Sequence, residues 1–277
     1  MKINLNSVPK KEYWSDPEWS AYLQGMGLPH SYHRRYWEWG QVAYGLDSLG
    51  LLHEGSRGLG IGVGKEPLIF YLATRAGEII VSDMYEKSWA KDGQATPSML
   101  TEPERFSPIP YPKERLRVVK MDAMHLEFSD ESFDFVWSVG AIEHFGSSLP
   151  KHGFRLICRS LGLRRLAKKF DHLGAVKAVR EMRRVLKKGG VAAITTELIL
   201  NGHPHHDYFL PEEIQTFIIG PSGMDLIGND LYIIPSPFFM ESVQTKERWD
   251  AGELPHVVLQ DQNGVVFTSV SLFLRKP

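Results

Sequence analysis

Apolar and polar residues alternate along this chain in blocks that predict strands separated by helices. Four short apolar runs are rich in β-branched and aromatic residues and predict strands, at residues 79–81, 117–121, 133–138 and 191–200. Apolar residues at helical spacing predict helices between them, most clearly over residues 67–75 and 175–186. Alternation of this kind is typical of an α/β fold with a parallel sheet and right-handed crossovers.

The two ends of this alternating region differ from its middle. Residues 58–64 are predicted to be a first strand, although their glycines weaken strand propensity. Residues 256–276 predict a β-hairpin, because Asn263-Gly264 lies between two apolar runs and is a strong turn signal. The chain therefore predicts five alternating strands that are closed by an antiparallel hairpin.

Two segments outside this pattern predict additions to the sheet. Residues 1–50 are rich in aromatics and predict a helical cap, with Asp16-Pro17 beginning one helix and Ser31 capping another. We expect most of these rings to be core packing, although some could line the ligand cleft. Residues 147–172 predict a basic helical insertion, and positive charge extends over residues 151–188. We interpret this charge as solvated amphipathic helices, the alternative being a lid or a site for an anionic substrate, a membrane surface or RNA.

Composition narrows the classes of function. The chain has 277 residues, a formal net charge of −1 and one cysteine, Cys158. A nearly neutral chain argues against general nucleic-acid binding, and one cysteine excludes a disulfide framework. The sequence has no signal-peptide pattern and no apolar run near the roughly 18 residues of a membrane span. We therefore expect a cytoplasmic protein without membrane insertion.

The glycine-rich stretch at Gly58–Glu66 is the strongest functional signal. Its sequence, GLGIGVGKE, lies between a predicted strand and a predicted helix, and Asp83 ends the next strand. A glycine turn allows close approach of a ligand, and the following helix offers free N–H groups. An acid about 20 residues further on suits a ribose diol. The spacing does not fit the dinucleotide pattern GxGxxG.

Several stretches in the right order resemble class I S-adenosylmethionine (SAM) dependent methyltransferases, of the small-molecule or glycan type. These stretches are GIGVGKEPL, Asp83, DAMHLEFSDESFDFVWS, AIEHF and REMRRVLKKGG. The resemblance covers roughly residues 50–275, apart from the insertion. It implies a seven-stranded, mostly parallel, doubly wound sheet with an antiparallel C-terminal hairpin strand. It also implies a methyltransferase domain over residues 51–277 behind the cap at residues 1–50.

The resemblance also implies where SAM binds. The backbone at Gly60, Gly62 and Gly64 would face its amino-acid end, and Asp83 its ribose. Asp122 with Ala123 and Met124 would face the adenine, and Val139 with Gly140 would lie near the sulfonium. The chain departs from the family at two positions: Gly60 stands where an acid is usual, and Glu66 stands where a third glycine is usual. Glu66, or a residue of the cap, could replace the missing acid.

The acceptor side is predicted from histidines near the ends of strands four and five. His144, with Glu143 beside it, follows strand four, where open α/β sheets bind ligands. A neutral histidine is a natural base for a hydroxyl acceptor, and Glu143 could orient it. His203, His205 and His206 follow strand five and are candidate substrate contacts. A divalent metal bound by these histidines is a weaker alternative, and we predict none.

We predict an O-directed methyltransferase that acts on a small molecule, sugar or glycan. Two other readings stay open: a non-catalytic SAM-fold binding module, and a nicotinamide-dependent oxidoreductase or epimerase. The second lacks its glycine fingerprint. The predicted partner is the acceptor molecule, without nucleic acid, and a homodimer is an option. The sequence does not name the acceptor.

Overall fold

A computed structural model shows how these predicted elements assemble. It describes residues 3–86, 95–146, 162, 172–203, 205, 207–228 and 230–277. Nearly all of the predicted insertion at residues 147–172 lies outside the described residues, together with much of the basic segment. His206 also lies outside them.

The core of the chain is one twisted sheet, and its strands confirm the predicted α/β fold. The strands are β1 (Arg57–Ile61), β2 (Glu78–Asp83), β3 (Leu116–Lys120), β4 (Phe133–Val139), β5 (Leu186–Ile199), β6 (Asp225–Leu226), β7 (Leu259–Gln260) and β8 (Val266–Arg275). Their order is β3-β2-β1-β4-β5-β8-β6, and β7 pairs with β8. The first five strands are parallel, and β8 runs antiparallel to β5.

One unpredicted short strand, β6, brings the sheet to eight strands instead of the predicted seven. β7 and β8 form the predicted hairpin, in which Leu259 pairs with Phe267. β6 was not predicted: it consists of two residues that pair with the end of β8. Because so short a strand carries no period-2 pattern, its sequence gives no signal.

Helices cover both faces of the sheet. They are α1 (Lys11–Ser15), α2 (Pro17–Gly25), α3 (Arg34–Ser48), α4 (Pro67–Arg75), α5 (Leu173–Val185), α6 (Pro211–Ile214), α7 (Gly220–Ser222), α8 (Pro237–Met240) and α9 (Lys246–Asp250). A π-helical turn, Gln215–Ile219, joins α6 to α7. α4 has the predicted bounds, and α5 begins two residues before the predicted start. No helix in the described part of the chain is both long and apolar enough to cross a membrane.

The N-terminal helices pack on the sheet with buried aromatic side chains. Trp14, Trp19 and Trp37 are at most 2% exposed and lie in one cluster, which confirms the packing interpretation for these rings. Asp16 caps α2 as predicted, since its carboxylate accepts from Glu18 N and Trp19 N. The cap of α3 is His33 and not Ser31, because the chain stays extended until His33 pairs with His256. The domain boundary at residue 50 stays a prediction.

Each face of the sheet is covered by an apolar layer, whereas the carboxyl edge of the sheet is polar. Val179 and Met182 of α5 pack with Ile194 on one face. Leu46 of α3 and Leu72 of α4 pack with Phe273 on the other face. The carboxyl ends of β1, β2, β4 and β5 meet at one edge, where open parallel sheets bind ligands.

Candidate active site

The predicted cofactor residues lie along this carboxyl edge. Gly60 lies near the end of β1, and Asp83 ends β2. Asp122 follows β3, and Val139 ends β4. The residues that the sequence separates by nearly 80 positions therefore lie along one edge, as the parallel topology predicts.

Two glycines let the loops after β1 and β4 approach each other. Gly62 has a φ of +66°, and a Cβ placed there would lie 2.7 Å from Ala141 Cβ. Gly140 has a φ of +51°, and a Cβ there would collide with the guanidinium of Arg35. Glycine is required at both positions by conformation and by space.

The absence of the usual acid at Gly60 has a packing explanation. A Cβ at Gly60 would lie 2.5 Å from Cζ2 of Trp137 and 2.7 Å from Val63 Cγ2. Trp137 is fully buried on the neighbouring strand β4. The indole therefore occupies the volume that an acidic side chain would need.

Glu66 brings a carboxyl group to the same region from the residue that precedes α4. Its Oε2 atom is buried and has no hydrogen-bond partner. Burial raises the pKa of Glu66 to about 8, although Arg35 and the Gly64 N–H act in the opposite direction. A buried acceptor without a donor is uncommon in proteins and calls for an explanation such as a ligand.

Asp83 and Tyr85 form the next part of the edge. Asp83 Oδ1 accepts from Tyr85 N at 2.9 Å, and burial raises the pKa of Asp83. Tyr85 adopts a φ of +45° and is 3% exposed, and its hydroxyl is buried without a partner. Glu66 and Asp83 both contribute to raising the pKa of Tyr85, after burial. The two carboxyl groups therefore lie on the same side of the edge as this phenol.

Asp122 lies in a turn that it caps itself. Its Oδ1 accepts from Met124 N at 2.8 Å, and its backbone carbonyl accepts from His125 N. Ala123 is 7% exposed, and Met124 is half-buried. The three predicted adenine residues thus share one ordered turn after β3.

A buried ion cluster joins α3 to the end of β5. Arg34 Nη1 lies 2.7 Å from Glu197 Oε1 and 3.3 Å from Glu38 Oε1. Arg35 bridges the same two glutamates, at 2.7 Å to Glu38 Oε2 and 3.2 Å to Glu197 Oε1. Thr195 and Ser269 donate to Glu38 from the sheet. Burial alone would lower the pKa of Arg35, but the two glutamates outweigh it and raise the pKa.

Glu143 meets this cluster from the loop after β4. Its side chain is buried, and its Oε2 accepts from Thr196 Oγ1 at 2.8 Å. Its Oε1 atom, like Oε2 of Glu197, is buried with no donor facing it. Burial and the charge of Glu197 raise the pKa of Glu143 well above its usual value. Burial alone would raise the pKa of Glu197, but Arg34, the neighbouring carboxyl group of Glu143 and Arg35 lower it.

His144 lies at the opening of the cluster. Its side chain is 36% exposed, and its Nε2 atom lies 4.0 Å from Glu143 Oε1. His144 also helps to lower the pKa of Glu197, so its ring lies near both carboxyl groups. The structure therefore brings the predicted pair, Glu143 and His144, together with a second, unpredicted carboxyl group, that of Glu197.

Of the three predicted histidines after β5, the structure describes His203 and His205. His203 is exposed, and its backbone N–H donates to Asn201. His205 stacks on Tyr208 at 4.3 Å between ring centroids and lies 3.8 Å from Asp261 Oδ2. Tyr208 in turn stacks on Phe267, and the charge of Glu197 contributes to raising its pKa after burial. Among the described residues, no group of three or more His, Cys, Asp or Glu is arranged to hold a metal ion.

Comparison with known sequences identifies the domain that carries this edge. A sequence model described as a methyltransferase domain matches residues 59–162. Residues 59–162 carry a methyltransferase domain. The match confirms the predicted relationship to SAM-dependent methyltransferases, but not the small-molecule or glycan branch, and with it the predicted cofactor, S-adenosylmethionine. No curated protein sequence matches this methyltransferase at a significant level.

Solved structures share the fold of this methyltransferase at low sequence identity. A putative sarcosine dimethylglycine methyltransferase from Galdieria sulphuraria is 17% identical, with a TM-score of 0.52 over 100% of this chain and 94% of that one. The [4+2]-cyclase SpnF is 16% identical, with a TM-score of 0.51 over 98% and 99%. Phosphoethanolamine N-methyltransferase 2 from Haemonchus contortus, in complex with S-adenosyl-L-methionine, is 17% identical, with a TM-score of 0.50 over 100% and 60%. These likenesses support the fold.

Sequence reasoning missed the part of the methyltransferase site that α3 and β5 build. Glu197 and its neighbours Thr195 and Thr196 are polar residues inside an otherwise apolar strand, which is a usable signal for a buried polar site. Arg34 and Arg35 carry no such signal, because charged residues at a helix start usually face solvent. Only the packing of α3 on the sheet places them against Glu197.

Proposed function

We propose that this methyltransferase transfers a methyl group to a hydroxyl of a small molecule, sugar or glycan, with His144 as the general base. The position of His144 carries the proposal. It is a half-exposed imidazole, 4.0 Å from a buried carboxyl group and four residues after Gly140 at the carboxyl edge. Positioned proton acceptors of this kind contribute on the order of 10²–10⁴ to a rate.

The residues at the edge fit S-adenosylmethionine. Buried Glu66 Oε2 and the Tyr85 hydroxyl have no partner, so they offer an acceptor and a donor to a ligand. We assign Glu66, with the backbone at Gly60, Gly62 and Gly64, to the methionine end. We assign Asp83 to the ribose, and the turn of Asp122, Ala123 and Met124 to the adenine. Val139 and Gly140 then lie near the sulfonium.

The chain's own residues would supply orientation and proton transfer. The bound cofactor supplies an electrophilic methyl group on a positively charged sulfur. His144 would take the proton that the acceptor hydroxyl loses as it is methylated. Glu143 orients the ring, and holding the reacting groups in line supplies much of the rate. His203, His205 and His206 are the proposed substrate contacts beyond His144.

Calorimetry with S-adenosylhomocysteine tests the cofactor assignment. We expect binding in the micromolar range and its loss by at least tenfold in Asp83→Ala, because a good pairing to a charged group contributes about 1.5–3 kcal/mol. Asp130→Ala, an exposed acid at the opposite edge, should bind as the wild type does. Tight binding of NAD without S-adenosylhomocysteine binding would contradict the proposal.

A screen of hydroxyl acceptors with methyl-labelled cofactor tests the activity. His144→Ala should lower turnover at least 100-fold with cofactor affinity within twofold, since the ring serves proton transfer. His53→Ala, an exposed histidine before β1, is the matched control. Cofactor binding without methyl transfer to any acceptor class would favour the non-catalytic module. Unchanged turnover in His144→Ala would remove it as the base.

A further inference from the structure

Glu143 and Glu197 are two buried carboxyl groups near the end of the sheet, close enough for each to shift the pKa of the other. Glu143 is 4% exposed and Glu197 is 3% exposed. One oxygen of each is satisfied: Thr196 donates to Glu143 Oε2, while Arg34 and Arg35 donate to Glu197 Oε1. The remaining oxygens, Glu143 Oε1 and Glu197 Oε2, have no donor.

Two ionised carboxylates in this arrangement would leave both remaining oxygens buried and repelling each other. A single proton between them removes that conflict, because it makes one group a donor and leaves the other an acceptor. Arg34 and Arg35 bind Glu197, so the negative charge resides there and the proton on Glu143. In agreement with this, burial and the charge of Glu197 raise the pKa of Glu143, whereas Arg34 lowers the pKa of Glu197 against the effect of burial.

The surrounding charges balance this arrangement. Arg34, Arg35 and Glu38 face the pair from α3, and His144 faces it from the loop after β4. Tyr208 lies close enough to Glu197 for that charge to contribute to raising its pKa, after burial. With Glu143 protonated, two arginines oppose two carboxylates, Glu38 and Glu197. The pair therefore carries one negative charge beside His144.

We propose that Glu143 and Glu197 share one proton and, clamped by Arg34 and Arg35, act as the anionic partner that positions His144. This inference rests on the proposed function for its kinetic part only. The pair acts through His144, so these are positioning residues. When His144 takes the acceptor's proton, the single charge on the pair stabilises the imidazolium without a further proton leaving the cluster. α3, which lies outside the matched residues 59–162, thereby becomes part of the site.

Carboxyl-carbon NMR of protein labelled in its glutamates tests the shared proton without any substrate. Because Glu66 also has a raised pKa, the measurement is made in a Glu66→Gln background. At pH 7 we expect one glutamate resonance at the protonated position. Glu143→Gln should remove it, and Glu181→Gln, at the opposite edge, should not. Absence of a protonated resonance, or its persistence in Glu143→Gln, would overturn the proposal.

Steady-state kinetics on the acceptor found by screening tests the positioning role. Glu143→Gln keeps a donor toward Glu197, so we expect its kcat to stay within about fivefold. Glu197→Gln removes the anion, and we expect kcat to fall by about 10–100-fold with affinity for S-adenosylhomocysteine within twofold. Unchanged kcat in Glu197→Gln would overturn the positioning role. Failure of cofactor binding in the wild type would instead count against the proposed function. The NMR test of the shared proton would remain valid, because it uses no substrate or cofactor.

Discussion

Arg184 and Arg34 each centre an ion cluster at opposite edges of the same sheet. Arg184, near the end of α5, donates to Glu181 and Asp130 and to the carbonyls of Phe128 and Leu126. Its side chain is 31% exposed, and no side-chain polar atom of this cluster is both buried and unpaired. It ties the segment that precedes β4 to α5, which is a structural task.

The cluster around Arg34 is more deeply buried and less fully hydrogen-bonded. Its arginine is 11% exposed, Glu38 and Glu197 are at most 4% exposed, and several of its polar atoms are buried without partners. Burying charges costs several kcal/mol per ion before their pairing is counted. At the carboxyl edge, Arg34, Glu197, Glu143, Glu66 and Tyr85 each have a buried side-chain atom without a partner. This pattern is in keeping with the proposal that a ligand and proton transfer use this edge.

Arg34→Met is the strongest way to test this difference. Removing one partner of a buried ion cluster should lower the free energy of unfolding by about 3–5 kcal/mol, because Glu197 and Glu38 lose a cation. Arg184→Met should cost only about 1–2 kcal/mol, since water reaches the groups left behind. Urea unfolding followed by fluorescence measures both. Equal losses in the free energy of unfolding would mean that both clusters contribute to stability in the same way.

The sequence predicted the sheet better than the site. The bounds of α4, the hairpin at Asn263-Gly264 and the acids Asp83 and Asp122 follow from local pattern and from the parallel topology. Turn signals and hydrophobic periodicity depend only on residues that are close in sequence, so they can be recognised without knowing the rest of the chain.

The missed residues depend on contacts across the chain. Arg34 and Glu197 are 163 positions apart, and neither position predicts the other. Similarly, Trp137 of β4 explains why Gly60 of β1 cannot be an acid, and only the register between these strands shows it. Glu66 was found because it broke a family pattern. Its pKa of about 8 came from burial that sequence does not state.

Glu66→Gln tests the carboxyl edge through the pH dependence of stability. The folded pKa of Glu66, about 8, lies above the usual value, so folding keeps a proton that the unfolded chain releases. Stability should therefore fall as pH rises from about 4.5 to 8. Glu66→Gln should flatten this fall and raise stability at pH 8 by roughly 2–4 kcal/mol. Thermal unfolding across that range measures it, and an unchanged slope would contradict the burial argument.

Binding of S-adenosylhomocysteine provides a second test of the raised pKa of Glu66. If the Glu66 carboxylate pairs with the ligand's ammonium group, binding releases the proton of Glu66, and the wild type should bind more tightly as pH rises toward 8. Calorimetry in buffers of different ionisation enthalpy measures that released proton. Glu66→Gln should abolish the release, and release that persists in this variant would assign the proton to another group.

Asp130→Asn is the smallest expected effect and completes the comparison. The carboxylate of Asp130 is 74% exposed and lies 2.7 Å from Arg184, yet exposed pairs of this kind contribute at most about 1 kcal/mol. Arg184 keeps Glu181 and two carbonyls, so we expect a change within about 0.5 kcal/mol that 0.5 M salt removes. A loss near that of Arg34→Met would show that redundancy does not protect the amino edge. The division between a stabilising edge and a reactive edge would then have to be abandoned.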